Sequence, residues 1–162
     1  MQEKHKKPLI VLTGPTAVGK TALSIGLAKA VGGEIISADS MQVYKGMDIG
    51  TAKIMPEEMQ GVKHYLVNEL EPDEEFNVVV FQRLCKQYME QIYAEGRIPI
   101  IVGGTGFYIQ SILNDIDFTE NEADTSYRQI LEERAKTQGV QSLHAELCRV
   151  DEKAAEQIHP NN

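Results

Sequence analysis

The sequence predicts an α/β fold, in which a parallel β-sheet is flanked by helices and followed by an all-helical extension at the C-terminal end. Short apolar runs at residues 9–12, 34–38 and 98–102 have the length and branched composition of buried strands. A turn and a helical stretch follow the first and third runs, which is the order of a βαβ architecture. Strand-like runs then stop. We therefore predict an α/β core over residues 1–114 and a helical segment over residues 115–162.

The first strand leads into a phosphate-binding loop. Residues 14–21, GPTAVGKT, match the pattern GxxxxGK[ST] at every required position, which is typical of a P-loop NTPase-like fold. Glycines let successive N–H groups point into one concavity, and the N-terminus of the following helix adds partial positive charge. Lys20 would contact the outer phosphate oxygens, and the Thr21 hydroxyl would hold Mg²⁺. The flanking strand and helix make a plain glycine-rich turn with a solvated lysine the weaker interpretation, so we expect a bound di- or triphosphate.

The remaining elements follow from periodicity and from turn residues. Apolar residues at three- and four-residue spacing over 76–95 give the strongest helical pattern, which Gly96 ends. We predict a short strand at 64–67. Further helices are predicted at 56–60, 107–114, 125–137, 140–149 and 152–158, the last with Asp151 as its N-cap.

Composition narrows the class of protein. The net charge of −8 argues against holding nucleic acid by bulk electrostatics, although it leaves room for a local basic patch. No apolar run approaches the roughly 18 residues that a membrane span needs, so we expect no membrane association. Cys85 and Cys148 lie far apart without a CxxC pattern, which favours two buried, inert thiols in a reducing cytoplasm over a disulfide or a zinc site.

Polar residues follow the predicted strands where ligands bind in open α/β sheets, beyond the carboxyl ends. Asp39 could ligate Mg²⁺ through water or deprotonate an acceptor nucleophile, and its alternative role is to cap a helix beginning at residue 40 or 41. Gly103–Gly106 form a second glycine-rich turn that could offer Thr105 and backbone N–H groups to the same anion, or could serve only close packing. Residues 44–53 are polar, glycine-rich and not periodic, and they predict a surface loop that could cover a ligand.

Four segments together resemble one family. They are GPTAVGKT at 14–21, SADSMQVYKGMDIGTAK at 37–53, GRIPIIVGGTGFY at 96–108 and VDEKAAEQIHPNN at 150–162. This combination resembles the bacterial tRNA dimethylallyltransferases, also called tRNA isopentenyltransferases. The second segment is the most specific of the four. Members of that family are considerably longer, so the resemblance implies that this chain corresponds to their N-terminal half.

The resemblance implies a reaction and its partners. It is the transfer of a dimethylallyl group from dimethylallyl diphosphate to N6 of the adenosine beside the anticodon of tRNA, with Mg²⁺ and release of diphosphate. The resemblance also implies that the helices beyond residue 115 begin an insertion that grips the anticodon stem. We expect a cytoplasmic monomer.

The resemblance also assigns residues by position. It implies catalytic roles for Asp39 as the general base, for Lys20 and for Thr105, and a metal contact at Thr21. The implied diphosphate-binding residues are Gly14, Pro15, Thr16, Ala17, Val18, Gly19, Lys20 and Thr21. The implied tRNA-binding residues are Asp39, Ser40, Met41, Gln42, Thr105 and Arg128.

Two other functions stay open at this point. A small P-loop kinase would suit the length and would set Asp39 against an acceptor hydroxyl. Between residues 96 and 162, however, the only arginines are Arg97, Arg128, Arg134 and Arg149, which is not an arginine-rich lid. A catalytically incomplete fragment would bind diphosphate without turnover. Consumption of ATP would identify the kinase.

Overall fold

A computed structural model describes residues 7–118 and 125–160, with the side chains of residues 125, 126 and 128 left aside. The strands are β1 (Ile10–Thr13), β2 (Gly33–Ser37), β3 (His64–Tyr65) and β4 (Ile98–Gly103). The helices are α1 (Lys20–Val31), α2 (Val78–Ala94), α3 (Gly106–Leu113), α4 (Thr125–Gln138), α5 (Val140–Val150) and α6 (Glu152–Gln157). The chain divides into two compact units, Met1–Asp117 and Phe118–Asn162.

The described strands form one parallel sheet in the order β1-β4-β2-β3. The predicted fold class is confirmed. Because every strand runs in the same direction, the carboxyl ends of β1, β2 and β4 lie at one edge of the sheet, where the phosphate loop and Asp39 follow.

Helices cover both faces of this sheet. Neighbouring residues of a strand point to opposite faces, so Ile35 and Ile36 separate into different apolar clusters. Ile35 belongs with residues of α1, including Ile25. Ile36 belongs with residues of α2 and α3, where Phe81 and Tyr108 stack with ring centroids 4.6 Å apart. The sheet therefore has an apolar core on each face, and the carboxyl ends of its strands remain free to form a site.

Side-chain caps begin two of the helices, one of them predicted. The Asn77 side chain accepts hydrogen bonds from the N–H groups of Val79 and Val80, both at 3.0 Å, so α2 begins at Val78. The Asp151 carboxylate accepts from the N–H of Ala154 at 3.0 Å, as its predicted capping role requires.

Two predicted elements differ from the structure: a predicted helix is a series of turns, and a predicted strand is shorter than expected. Residues 56–60 form turns and not a helix, because Gln60 and Gly61 adopt left-handed φ angles of 49° and 80° directly after the first turn. The strand predicted at 64–67 ends at Tyr65, because Leu66 also has a left-handed φ, of 60°. Both differences arise from backbone conformations that periodicity does not encode.

The two cysteines differ. Cys85 lies on the buried side of α2 and is fully buried, and burial raises the pKa of its thiol to about 12. Cys148 is exposed, so the prediction of a buried thiol was wrong for it. The reason is that α5, which carries Cys148, has no buried residue among its described side chains.

No helix within residues 7–118 and 125–160 combines the length and the apolar composition that a membrane span requires.

The end of β4 approaches the end of β2 so closely that only glycine fits. The N–H of Ala38 donates to the carbonyl oxygen of Val102 at 2.8 Å, and the N–H of Thr105 donates to that of Ala38 at 3.3 Å. A Cβ atom on Gly103 would overlap the Ala38 carbonyl group. Gly103 is therefore required for the strand end that carries Asp39 to lie beside the turn that carries Thr105.

We predict that Gly103→Ala lowers the free energy of unfolding by about 3 kcal/mol, the upper end of overpacking costs, because backbone and not a movable side chain blocks the new methyl group. Gly26→Ala is the matched control. Gly26 lies exposed in α1, and nothing lies within 4 Å of an added Cβ. The control should raise stability by about 0.5–1 kcal/mol. Urea unfolding measures both changes, and equal effects would contradict the packing argument.

Candidate active site

A cleft of about 580 Å³ opens at the carboxyl edge of the sheet. Three of its walls were predicted as site elements: the phosphate loop, the turn after β2 and the turn after β4. It is lined by Thr16, Ala17, Gly19, Lys20, Thr21, Ser24, Ile35, Ser37, Asp39, Ser40, Met41, Gln42, Thr51, Ala52, Ile54, His64, Val67, Val102, Gly103, Gly104 and Thr105. Most of the predicted site residues are thus brought together.

The phosphate loop reverses direction through backbone angles that are open mainly to glycine. Gly14 and Gly19 have φ angles of 149° and 88°, and Ala17 is held at 65°. The loop then enters α1, whose N-terminus has no side-chain cap and no acidic residue in the first turn. The positive end of the helix dipole is therefore not neutralised by the helix's own first residues, which favours an anion at this point.

Lys20 adds a full positive charge at the same point. Its Nζ donates to the carbonyl oxygens of Gly14 at 2.8 Å and Pro15 at 2.5 Å. An ammonium carries three N–H bonds, and these two contacts leave one for another acceptor. The loop thus holds the charge of Lys20 close to its own backbone.

Asp39 uses its two carboxylate oxygens differently. Its Oδ1 accepts from the N–H groups of Met41 at 2.9 Å and Gln42 at 3.2 Å. The capping interpretation therefore holds in part, although Asp39 caps a turn and not a helix. None of the described hydrogen bonds of Asp39 uses Oδ2. The carboxylate is fixed through one oxygen, and the other is available within the cleft.

Thr105 lies directly across from this carboxylate turn, because its N–H donates to Ala38, the residue before Asp39. It is the N-cap residue of α3, yet its side chain makes no capping hydrogen bond. The Thr105 hydroxyl is therefore not committed to the helix that it begins.

The residues after Asp39 form the mouth of the cleft. Met41 is 42% exposed, and Ser40 precedes it in the chain. The Gln42 Nε2 donates to the carbonyl oxygens of Thr51 and Ala52, both at 3.3 Å. Gln42 therefore joins the turn after β2 to the loop that follows.

The residues that line the cleft do not include Arg128, nor Gly14, Pro15 and Val18 of the phosphate loop. Arg128 is the one of these four that lies outside the loop. It lies in α4, in the second compact unit, and its side chain lies outside the described part of the structure. Its assignment stays a prediction.

The apolar floor of the cleft was not predicted. It consists of Ile35, Ile54, Val67 and Val102. The alternation of β2 could have indicated part of it, because Ile35 and Ser37 share the face of the sheet that carries α1. Ile54 follows the loop 44–53, which shows no periodicity, and Val67 lies just beyond the end of β3, so only the tertiary structure brings them there.

His64 also lines the cleft without having been predicted. Burial lowers the pKa of its imidazole, against the opposing effect of a 2.8 Å hydrogen bond between Nδ1 and the Val62 carbonyl oxygen. A carbonyl can only accept, so Nδ1 carries the hydrogen of the neutral ring. The cleft therefore contains a neutral imidazole at neutral pH.

Comparison with known proteins identifies the family. The model of the family described as IPP transferase matches residues 42–162. The chain belongs to the IPP transferase family. The phosphate loop lies before the matched residues, but relatives of the family align across it as well.

The relatives agree on one name. A tRNA dimethylallyltransferase of Lachnoclostridium phytofermentans is 67% identical over 156 residues, which are 96% of this chain and 50% of that protein. One of Bacillus cytotoxicus is 51% identical over 162 residues, which are 100% of this chain and 51% of that protein. The chain thus spans about half the length of these relatives.

Solved structures agree with the fold. A full-length tRNA isopentenylpyrophosphate transferase from Bacillus halodurans has 50% identity and a TM-score of 0.70, covering 97% of this chain and 52% of that one. A eukaryotic dimethylallyltransferase described as acting on tRNA has 36% identity and a TM-score of 0.83, covering 97% and 39%. The family resemblance and the P-loop NTPase-like fold predicted from the sequence are both confirmed.

Proposed function

We propose that this chain carries the donor-binding and proton-accepting part of a tRNA dimethylallyltransferase. The reaction joins the dimethylallyl group of dimethylallyl diphosphate to N6 of the adenosine adjacent to the anticodon and releases diphosphate. The observation that carries the proposal is the meeting of the phosphate loop, an apolar floor and the half-buried carboxylate of Asp39 in one cleft. The names of the relatives support the same reaction.

The phosphate loop would hold the diphosphate of the donor. Backbone N–H groups of residues 16–19, the N-terminus of α1 and the third N–H of Lys20 all favour an anion at one point. As the allylic C–O bond breaks, its electron pair stays on the ester oxygen of the departing diphosphate, so donors already directed at the diphosphate lower the barrier. The Thr105 hydroxyl is available to the same oxygens.

The oxygen groups in the cleft fit Mg²⁺. Thr21 and Asp39 both line it and supply hard oxygen donors, and Mg²⁺ prefers a few such groups together with phosphate oxygens and water. We propose the Thr21 hydroxyl as the direct contact. The bound ion would neutralise charge on the departing diphosphate.

The apolar floor would take the dimethylallyl group. Breaking the allylic C–O bond gives the carbon carbocation character, and water would capture it if the cleft were wet. Ile35, Ile54, Val67 and Val102 present hydrocarbon and no competing nucleophile. A hydrocarbon floor beside a phosphate loop matches a prenyl diphosphate better than a nucleoside triphosphate.

Asp39 would accept the proton of the acceptor. The N6 lone pair of adenine forms the new N–C bond while the allylic C–O bond breaks, and the N6 proton moves to Oδ2 of Asp39. Because Oδ1 is held by two backbone N–H groups, Oδ2 has a defined orientation. The base must leave its stack to reach this atom, and Ser40, Met41 and Gln42 stand at the mouth to contact it. Arg128 would contribute to tRNA binding from the second unit.

The remaining assignments belong to the same proposal. We expect a monomer that acts in the cytoplasm, where the tRNA substrate is found. A small kinase is not favoured, because the relatives named here are all dimethylallyltransferases. Diphosphate binding without turnover is the behaviour expected of this chain if residues from the rest of the relatives' length complete the site.

We predict that Lys20→Ala weakens binding of dimethylallyl diphosphate by about 1.5–3 kcal/mol, the contribution of a hydrogen bond to a charged group. Calorimetric titration with Mg²⁺ present measures it. Lys29→Ala is the matched control, since Lys29 lies at the opposite end of α1 and its Nζ donates to Gln60 Oε1 at 2.8 Å, away from the cleft lining. Unchanged affinity in Lys20→Ala would show that the loop is not the donor site.

We predict that Asp39→Asn lowers kcat by about 10²–10⁴-fold, the usual contribution of a general base, while donor affinity stays unchanged. The asparagine keeps an oxygen for the N–H groups of Met41 and Gln42, so the turn should survive. Transfer is measured on a polypeptide of the relatives' full length with an unmodified anticodon stem-loop. Asp115→Asn, at an exposed ion pair with Lys86, is the control. Parallel loss of donor affinity and kcat would argue against the role of base.

A further inference from the structure

Lys53 is a buried ammonium that takes no part in the reaction proposed above. Its side chain is fully buried, at 0% exposure. Lysine is almost never fully buried unless it is paired, because removing an ammonium from water is costly. Its position therefore needs a compensating set of contacts.

Three acceptors surround the Lys53 Nζ. It donates to the carbonyl oxygen of Tyr44 at 2.5 Å, to Asp48 Oδ1 at 2.8 Å and to Asn68 Oδ1 at 2.7 Å. An ammonium has three N–H bonds, so all of them are used. Lys53 thus has no donor left for a phosphate or a nucleic acid.

Two of these acceptors lie in one segment, residues 44–52, which we call the wall loop. Tyr44 begins the wall loop and Asp48 lies in its middle, whereas Asn68 belongs to the turn after β3. The Asn68 backbone N–H in turn donates to the Gln42 carbonyl oxygen at 3.1 Å. Lys53 therefore fastens the wall loop at two points to the segment that supports the site.

The wall loop is part of the cleft and is connected to Asp39. Thr51 and Ala52 line the cleft, and their carbonyl oxygens accept from the Gln42 side chain. The backbone N–H of Gln42 donates to Asp39 Oδ1. A continuous set of contacts thus leads from the buried ammonium through the wall loop and Gln42 to the carboxylate.

The start of the wall loop is also fixed by the pairing of Tyr44 with Leu70, and its end by the Thr51 hydroxyl, which donates to the Met47 carbonyl oxygen at 2.6 Å. Its middle, around Asp48, depends more heavily on Lys53.

The wall loop has no regular secondary structure, Gly46 and Gly50 have φ angles of 71° and 88°, and Ile49 is 100% exposed. Residues 46–50 of the wall loop are glycine-rich and mostly exposed, and such a segment gains many conformations once its tether is removed.

We propose that Lys53 is a positioning residue that holds the wall loop, and through Gln42 the Asp39 turn, in the geometry that receives the acceptor base. Its part in the reaction rests on the proposed function, whereas its part in ordering the loop does not. The consequence is specific: losing the Lys53 contacts should impair the acceptor side of the cleft and spare the phosphate loop.

The test uses Lys53→Met, which keeps the length of the side chain, and Asp48→Ala, which removes one acceptor from a half-exposed position. The matched control is Lys45→Met, because Lys45 lies in the same loop and pairs with Glu71 at 2.6 Å on the surface. Hydrogen exchange of residues 44–52, affinity for inorganic diphosphate with Mg²⁺, and kcat and KM for an anticodon stem-loop are measured on each.

For Lys53→Met we expect faster exchange confined to the wall loop and unchanged diphosphate affinity. We also expect kcat/KM for the acceptor to fall by about a hundredfold, the scale of misplacing a positioned group. Asp48→Ala should change the same quantities in the same direction by less, and Lys45→Met should change none.

Two outcomes would overturn the proposal. One is unchanged exchange in both Lys53→Met and Asp48→Ala. The other is a parallel loss of diphosphate affinity and of the unfolding midpoint in both, which would make Lys53 a support of the whole fold. Absence of transfer by the unsubstituted full-length protein would count against the proposed function. The hydrogen-exchange measurement would still show whether Lys53 orders the wall loop.

Discussion

The close approach of two strand ends is the constraint on which the site depends. Ala38 donates to Val102 at the end of β4 and accepts from Thr105, and only a glycine at position 103 leaves room for both contacts. This arrangement brings Asp39 and Thr105 to the edge of the sheet where β1 ends in the phosphate loop. The chemistry proposed for the cleft requires the loop, the carboxylate and the hydroxyl within one small volume, and backbone packing provides that.

Glu34 and Asp39, at the two ends of the β2 segment, show how hydrogen-bond partners distinguish a structural carboxylate from a reactive one. Glu34, near the start of the strand, is 2% exposed and is satisfied on both oxygens, by the Tyr65 hydroxyl at 2.7 Å and by Arg97 at 3.1 Å. Asp39, just beyond its end, is half-buried and bonded through one oxygen. A buried carboxylate with a partner on each oxygen is committed to those partners, whereas a carboxylate in a cleft with one oxygen unused is suited to accept a proton.

Much of this could be predicted from the sequence because the informative patterns are local. The phosphate loop, the βα order, α2 and the Asp151 cap all depend on residues a few positions apart. The apolar floor, the role of Gln42 in fastening Thr51 and Ala52, and the three acceptors around Lys53 depend on contacts between distant segments.

Local patterns gave wrong predictions where the backbone conformation of single residues determines the type or the end of an element. The turns at residues 56–60 and the early end of β3 follow from left-handed φ angles in residues other than glycine. The exposed Cys148 follows from a helix that buries none of its described side chains in its own unit. Periodicity reports which face of an element is apolar, but not what covers that face.

We propose that one cleft binds the prenyl donor by its diphosphate and presents its allylic carbon to the acceptor amine, whose proton Asp39 accepts. The most direct measurement is a crystal structure of the protein with Mg²⁺ and a thiolodiphosphate analogue of dimethylallyl diphosphate, whose C–S bond resists cleavage. Our account predicts diphosphate on the backbone N–H groups before α1 and in contact with Lys20, with the hydrocarbon over Ile35 and Val102. It also predicts that the allylic carbon faces the side of the cleft that carries Asp39. A diphosphate bound away from the loop, or a hydrocarbon chain directed out of the cleft, would contradict it.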